Sequence, residues 1–174
     1  ESFQLLDQDF SRINDESLSL FIILSGHALF LENNSYHPLS GGLVFITLPG
    51  QEIHIKSPSG LSFYIIHFPS SFLQELRKEL VSLHGFRIIF DVTTISKVGV
   101  LTHNKVHLEP EDLLRIKLLI ESLRSESKSQ GNDKSFALRC RLQILILELS
   151  RHLTIAKRHQ TGLADQLQTV LQHM

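Results

Sequence analysis

Hydrophobic and polar residues alternate along the chain with two different periods, and a first change of period falls at Pro69. From Leu18 to Val92, short apolar runs rich in Ile, Leu, Val and Phe are separated by turn residues at intervals of about ten, which is typical of antiparallel strands. The predicted strands cover 18–24, 28–32, 43–48, 52–56, 61–68 and 87–92. Six short strands joined by tight turns favour a closed or nearly closed β-barrel.

A short helix over 70–84 is predicted to interrupt these strands and to pack against the barrel. Its apolar residues follow helical spacing, at Phe72, Leu76, Leu80 and Leu83. Ser70 or Ser71 can cap the start of this helix, and Gly85 follows its end. The region 93–109 has no clear period, so we predict a connecting strand or loop there.

Two amphipathic helices are predicted over 110–159, separated by the polar turn 125–134. Pro110 suits the first turn of a helix because its ring fixes φ, and the acidic residues that follow it favour the positive end of the helix dipole. The first of these helices is acidic and the second is basic, so we expect them to attract each other as an antiparallel hairpin.

The second helix of the hairpin, about 135–158, carries two apolar stripes. One is a seam with spacings of four, three and four, as in a coiled coil, formed by Leu138, Leu142, Leu145 and Leu149. The neighbouring stripe consists of Phe136, Cys140, Ile144 and Leu147. Together, the two apolar stripes are wider than the surface that a helix needs for a single packing contact. We predict that the seam forms the interface of a homodimer, because burying each leucine contributes about 1.5–3 kcal/mol.

Composition limits the class of protein. The chain has 174 residues, of which 42% are hydrophobic and 20% charged, so it is expected to form one ordinary folded domain or two very small ones. It has 17 Lys plus Arg against 18 Asp plus Glu, so it has no excess of basic residues for binding the phosphate backbone of a nucleic acid. No apolar run approaches the roughly 20 residues of a membrane-spanning helix.

The cysteine and methionine positions suggest a compartment and an origin. Cys140 is the single cysteine and has no internal partner, which favours a reducing compartment, the cytoplasm. The sequence begins at Glu1 and its one methionine is Met174. We interpret it as a fragment of a longer protein.

Catalytic motifs are missing from the sequence: it has no GxSxG elbow, no phosphate-binding GxxxxGK[ST] loop, no GxGxxG and no CxxC. A pocket inside the barrel is predicted from Phe45 and Thr47, which share a face of one strand, and from Tyr64, which a barrel could bring opposite. His54 joins them if the polar face of its strand points inward. It is a surface residue if Ile53 and Ile55 point inward instead. A barrel filled solidly with side chains is the alternative to a pocket.

The order of these features resembles the sensor domains of AraC-type transcriptional regulators. Gly42, the strand 43–48, Pro49-Gly50 and His54 resemble the second half of the cupin motif as it occurs in those domains. The predicted hairpin looks like their dimerisation helices, and 167–174 looks like the first helix of a DNA-binding domain. The resemblance implies an α+β fold, a cupin-like antiparallel jelly-roll barrel followed by a helical hairpin. It also implies a homodimer, an unknown small organic effector, and DNA binding only through a missing C-terminal pair of helix-turn-helix units.

The resemblance also bears on metal chemistry. Metal-binding cupins carry an HxH pair followed by Glu, whereas the corresponding stretch 26–32 has only His27. We therefore expect no metal, no other cofactor and no enzymatic activity. The alternative function is a metal-dependent small-molecule cupin enzyme, an isomerase or a dioxygenase. The predicted organisation is a barrel over 1–92, a connection over 93–109, a dimerisation hairpin over 110–159, and a linker with the start of a truncated DNA-binding domain over 160–174.

Overall fold

The computed structural model describes residues 2–6, 8–13, 16–90 and 105–152. Seven antiparallel strands form one sheet within this part of the chain. They are β1 (Ser2–Leu6), β2 (Phe10–Ile13), β3 (Leu18–Glu32), β4 (Ser35–Ser40), β5 (Leu43–Thr47), β6 (Glu52–Phe68) and β7 (Val106–His107). The strands run β1-β6-β3-β5-β7, with β2 beside β6 and β4 beside β3. Among the described strands, β1 and β7 do not pair with each other, so this sheet is not a closed barrel.

The long strands β3 and β6 each merge two of the predicted strands. The turn residues between the predicted halves form bulges instead of reversals: Gly26 has a φ of 78°, Gly60 one of 55° and Ser57 one of 49°. The register of β3 against β6 shifts three times between Ile23 and Leu29. A Cβ on Gly26 would lie 2.2 Å from the Gly60 carbonyl oxygen, so the two strands approach as closely as they do only because Gly26 has no side chain.

The hairpin of β3 and β4 was not predicted. Asn33 and Asn34 form its turn with φ values of 50° and 60°, the left-handed conformation that a two-residue hairpin requires. Strand β4 is short, polar and interrupted by Pro38, so it lacks the apolar alternation that marks a strand. Tertiary pairing with β3, not local propensity, makes it a strand.

Two helices follow β6, at Ser70–Leu80 (α1) and His84–Phe90 (α2). The predicted helix over 70–84 therefore ends at Leu80. The predicted strand over 87–92 is wrong where it is described, since its residues up to Phe90 are helical. Phe86, Ile89 and Phe90 are buried at helical spacing. A short apolar run of this kind fits a buried strand and a buried helix equally well, which explains the error.

The hairpin consists of α3 (Pro110–Ser127) and the helical residues 134–152, here called α4. Helix α3 begins at Pro110, as predicted. The expected attraction between the helices is confirmed, because Arg141 Nη2 lies 2.8 Å from Glu126 Oε2. The predicted end of the last helix and the segment 160–174 lie outside the described residues. No helix in the described part is long and apolar enough to cross a membrane.

Sheet and hairpin share one hydrophobic core, which includes Phe21 and Phe45 of the sheet, Ile116 and Ile120 of α3, and Leu145 of α4. Phe68 at the end of β6 meets Phe72 of α1 edge to face, with ring centroids 6.0 Å apart. The described structure is thus α+β, with the helices packed on one face of an antiparallel sheet.

Candidate ligand-binding site

The pairing register divides the side chains of the central strands between two faces. Phe21 of β3 lies opposite both Phe45 of β5 and Ile65 of β6, and directly opposed residues share a face. We call the face of the sheet that carries Phe21, Phe45 and Ile65 the aromatic face. Ile22 lies opposite Tyr64, so Tyr64 belongs to the other face, here called the helix face.

The aromatic face holds a packed cluster of rings around Phe45. The Phe45 ring stacks on Phe21 with centroids 4.8 Å apart and meets Phe30 edge to face at 5.6 Å. Phe63 stacks on Phe21 at 6.0 Å. These four side chains are fully buried. Phe45 is therefore a member of a filled core at this point, which is the packed alternative to a pocket.

Thr47 belongs to a row of three polar side chains on the aromatic face, here called the polar row. It is opposed to Ser19, and Ser19 is opposed to His67. Ser19 Oγ lies 2.8 Å from His67 Nδ1, a hydrogen bond whose direction depends on the histidine tautomer. Thr47 and Ser19 are fully buried, whereas His67 is partly exposed. The row therefore runs from the core to the surface.

A surface depression of about 740 Å³ opens at the His67 end of the polar row. Its lining consists of Glu16, Ser17, His67, Phe68 and Pro69. Ser19 and His67 are not among the predicted site residues, although the sequence carries a signal for them: each is a polar residue inside an otherwise apolar strand run. Buried polar groups at one end of an apolar core can bind the polar end of a small molecule.

Tyr64 is not in this site, contrary to the prediction. It is buried on the helix face, and its hydroxyl donates a hydrogen bond to the carboxylate of Glu121 on α3. The sheet separates Tyr64 from Phe45 and Thr47. The prediction failed because strand alternation assigns residues to faces only within one strand, whereas the relation between strands depends on register.

His54 also lies away from Phe45. Its neighbours Ile53 and Ile55 are the buried residues, so His54 points outward with 29% of its side chain exposed. His54 Nδ1 lies 3.0 Å from Ser11 Oγ, and Nε2 lies 3.1 Å from Glu52 Oε1. Of the two orientations left open by the sequence, the structure has the one in which His54 is a surface residue.

The leucine seam on α4 packs against the rest of the chain at Leu145 and Leu149, so these two residues are not free to form the predicted dimer interface, while Leu138 and Leu142 are partly exposed. Leu145 and Leu149 have 0% exposure in the single chain. Leu138 and Leu142 line an apolar cavity of about 360 Å³ together with Phe72. The same spacing serves packing within a chain and between chains, so the pattern alone does not distinguish the two. The neighbouring stripe is the exposed one, with Phe136 71% and Ile144 48% exposed.

Two carboxyl groups at the surface have altered acidity. The backbone N–H of Ser57 and the ammonium of Lys56 hydrogen-bond to Asp9 and hold the pKa of that carboxyl below its ordinary value. Hydrogen bonds from Ser129 and Arg141 likewise lower the pKa of Glu126. Within the described ranges, no three His, Cys, Asp or Glu side chains converge as a metal site would require.

The described residues form an α+β fold with a buried polar row on one face of the sheet, and sequence comparison identifies the family. The family model described as the AraC-like ligand binding domain matches residues 4–146, so the chain belongs to that family. It is therefore a ligand-binding domain of the AraC-like type. The comparisons do not support the alternative of a cupin enzyme. Among curated proteins, no sequence matches the chain.

One solved structure shares the fold of this chain, and a second gives a weaker likeness. A structure of apo ToxT from Vibrio cholerae superposes with a TM-score of 0.54 at 14% identity, covering 82% of this chain and 52% of ToxT. The AraC-like transcriptional activator CuxR gives a TM-score of 0.40 at 10% identity, covering 80% of this chain and 48% of CuxR. The chain therefore spans about half the length of ToxT and of CuxR.

Proposed function

We propose that the domain binds a small organic effector at the depression beside His67, with His67 as its polar contact and the buried Ser19 holding the ring of His67 in place. The observation that carries this proposal is the Ser19–His67 hydrogen bond, which joins a buried hydroxyl to a partly exposed ring at the mouth. Neutral imidazole and hydroxyl groups both donate and accept hydrogen bonds. They suit an effector with a polar end and an apolar body, whose apolar part would lie along Phe68 and Pro69.

A thermal-shift screen of small organic molecules tests this site. A ligand that binds only the folded domain raises Tm in proportion to its concentration relative to Kd. Hits should lose their effect in the His67→Leu and Ser19→Ala variants and keep it in His54→Gln. The last substitution is a matched control because His54 lies outside the aromatic face. Hits that act equally on His67→Leu and on the unmodified chain would contradict the proposal.

We propose that two copies pair through the outer surface of the helical hairpin. Large apolar side chains are exposed on both helices of the hairpin, namely Leu118 on α3 and Phe136 and Ile144 on α4. An apolar surface of this kind marks an interaction site in a folded protein. A second copy of the chain is the partner we favour, since a two-fold axis uses each of these residues twice.

The complete protein is proposed to combine this domain with a DNA-binding part. We propose that the described sheet is the open part of a cupin-like jelly roll, since the bulges at Gly26 and Ser57 bend both long strands in the way that barrel closure needs. DNA binding is assigned to helix-turn-helix units beyond this domain, because the charge of the chain is balanced. We also propose a cytoplasmic location, without a cofactor or catalysis, for the complete regulator.

A further inference from the structure

A second cavity lies on the helix face, on the other side of the sheet from the polar row. It is a cleft of about 550 Å³ between the sheet and α3. The sheet supplies Leu24, Ser25, Ser62 and Tyr64. Helix α3 supplies Pro110, Leu113, Leu114, Lys117, Glu121 and Arg124. The α3 residues recur at helical spacing, so one side of the helix forms the whole upper wall.

The cleft lies where the sheet presents two small side chains to α3. Ser25 and Ser62 are opposed in the irregular part of the β3–β6 ladder, and their small side chains leave space that larger apolar residues fill elsewhere on the helix face. Their hydroxyl oxygens are 2.7 Å apart. One hydroxyl donates to the other, so the pair keeps one O–H and several lone pairs for a further partner.

Positively charged side chains outnumber negatively charged ones in the lining of the cleft. Glu121 accepts the Tyr64 hydrogen bond and lies 3.9 Å from Arg124, so its charge is partly compensated. Lys117 makes no hydrogen bond or ion pair with the residues that the structure describes. Two cations against one carboxylate leave an excess of positive charge beside a floor of hydroxyl groups.

We propose that this cleft binds a small hydroxylated carboxylate, a hydroxy acid or a sugar acid, with its carboxylate on Lys117 and Arg124 and its hydroxyls on Ser25 and Ser62. A carboxylate gains charge-assisted hydrogen bonds from Lys117 and Arg124 that a neutral polyol cannot make, and a cation would be repelled. Leu113 and Leu114 cover the carbon skeleton. The site is separate from the proposed effector site, since the sheet stands between them.

Calorimetric titration of the full chain with gluconate and with sorbitol tests the proposal, because the two probes differ in the carboxylate. Gluconate should bind at least about tenfold more tightly than sorbitol, the factor expected for one charge-assisted contact. Lys117→Gln should weaken gluconate binding by about fivefold to tenfold. Arg115→Gln is the matched control. It removes one positive charge from an exposed position on α3 that does not line the cleft, and it should leave the affinity unchanged.

A second variant tests the hydroxyl groups on the floor of the cleft without changing the charge of the cleft. Ser62→Val should fill part of the cleft and remove a hydroxyl, lowering gluconate affinity without changing its salt dependence. Equal binding of gluconate and sorbitol would overturn the proposal, as would an undiminished affinity in Lys117→Gln. Absence of binding by gluconate, tartrate and glucuronate up to about 10 mM, a very weak affinity, would overturn it as well. The His67→Leu variant should bind gluconate normally, which separates this site from the effector site.

Discussion

The hydroxyl of Tyr64 on β6 donates a hydrogen bond to the carboxylate of Glu121 on α3, so one side-chain pair connects the sheet to the helical hairpin. The two residues are 57 positions apart in the chain. The bond lies in the wall of the helix-face cleft, next to Lys117 and Arg124. A ligand in that cleft would therefore contact the hairpin and the sheet at the point where they meet.

Removing the phenol hydroxyl should weaken this connection. We expect Tyr64→Phe to lower the free energy of unfolding by about 1 kcal/mol, less than a fully buried charged hydrogen bond contributes, because Glu121 is 44% exposed. Urea denaturation measures the change. Tyr36→Phe is the control, since Tyr36 is 59% exposed, and it should have no effect. Equal midpoints for the two variants would show that the Tyr64–Glu121 bond does not stabilise the fold.

Two glycine substitutions should separate steric clash from backbone strain. Gly26 and Gly50 have similar φ values, 78° and 74°. A Cβ on Gly26 would overlap the Gly60 backbone, whereas one on Gly50 would have no atom within 4 Å. Gly50→Ala should therefore cost only the strain of a left-handed residue, about 1–2 kcal/mol. Gly26→Ala should cost clearly more or prevent folding, as circular dichroism and thermal melting would show. Similar melting temperatures for both variants would contradict the close approach of β3 and β6.

The ring cluster on the aromatic face should be sensitive to truncation. We expect Phe45→Ala to destabilise the domain by about 3–5 kcal/mol, because it removes a stacked and an edge-to-face neighbour and leaves a cavity. Leu29→Ala changes an exposed side chain of the same sheet and should cost less than about 1 kcal/mol. Chemical denaturation of both variants provides the comparison. A small effect at Phe45 would indicate an adaptable cavity in place of a packed core.

Adjacent residues on α4 should respond in opposite ways to the same substitution. Leu145→Arg places a charge in the core and should unfold the domain. Ile144→Arg introduces the charge on the outer surface of the hairpin and should give a folded monomer if that surface forms the dimer. Sedimentation and circular dichroism distinguish the outcomes. A folded dimer of Ile144→Arg would exclude that surface as the interface.

Acid should weaken two surface contacts. Asp9 and Glu126 have pKa values lowered from 3.8 and 4.5, so each favours the folded state above its unfolded pKa and loses this contribution as pH falls through its folded pKa. Asp9→Asn and Glu126→Gln should therefore reduce the loss of Tm between neutral pH and about pH 3. Glu79→Gln is the control at an exposed position. An unchanged pH dependence in the first two variants would show that these contacts do not contribute to stability.

The sequence by itself determined the class of the protein and most of its local elements, though not β4 or α2. The apolar strand runs, the helix beginning at Pro110 and the opposite charges of the hairpin helices all depend on neighbours in the chain, so their patterns are readable without coordinates. The resemblance to sensor domains of AraC-type regulators rested on the same local order and is confirmed by the family match.

Only the tertiary structure decided which residues share a site. The register that pairs one strand with the next is set by tertiary structure, so alternation within a strand could not show that Tyr64 and Phe45 lie on opposite faces. The position of α4 decided that Leu145 and Leu149 of its leucine seam are interior and that Ile144 is at the surface. The Ser19–His67 bond spans 48 positions and forms because β3 and β6 pair, a long-range interaction that no local pattern encodes.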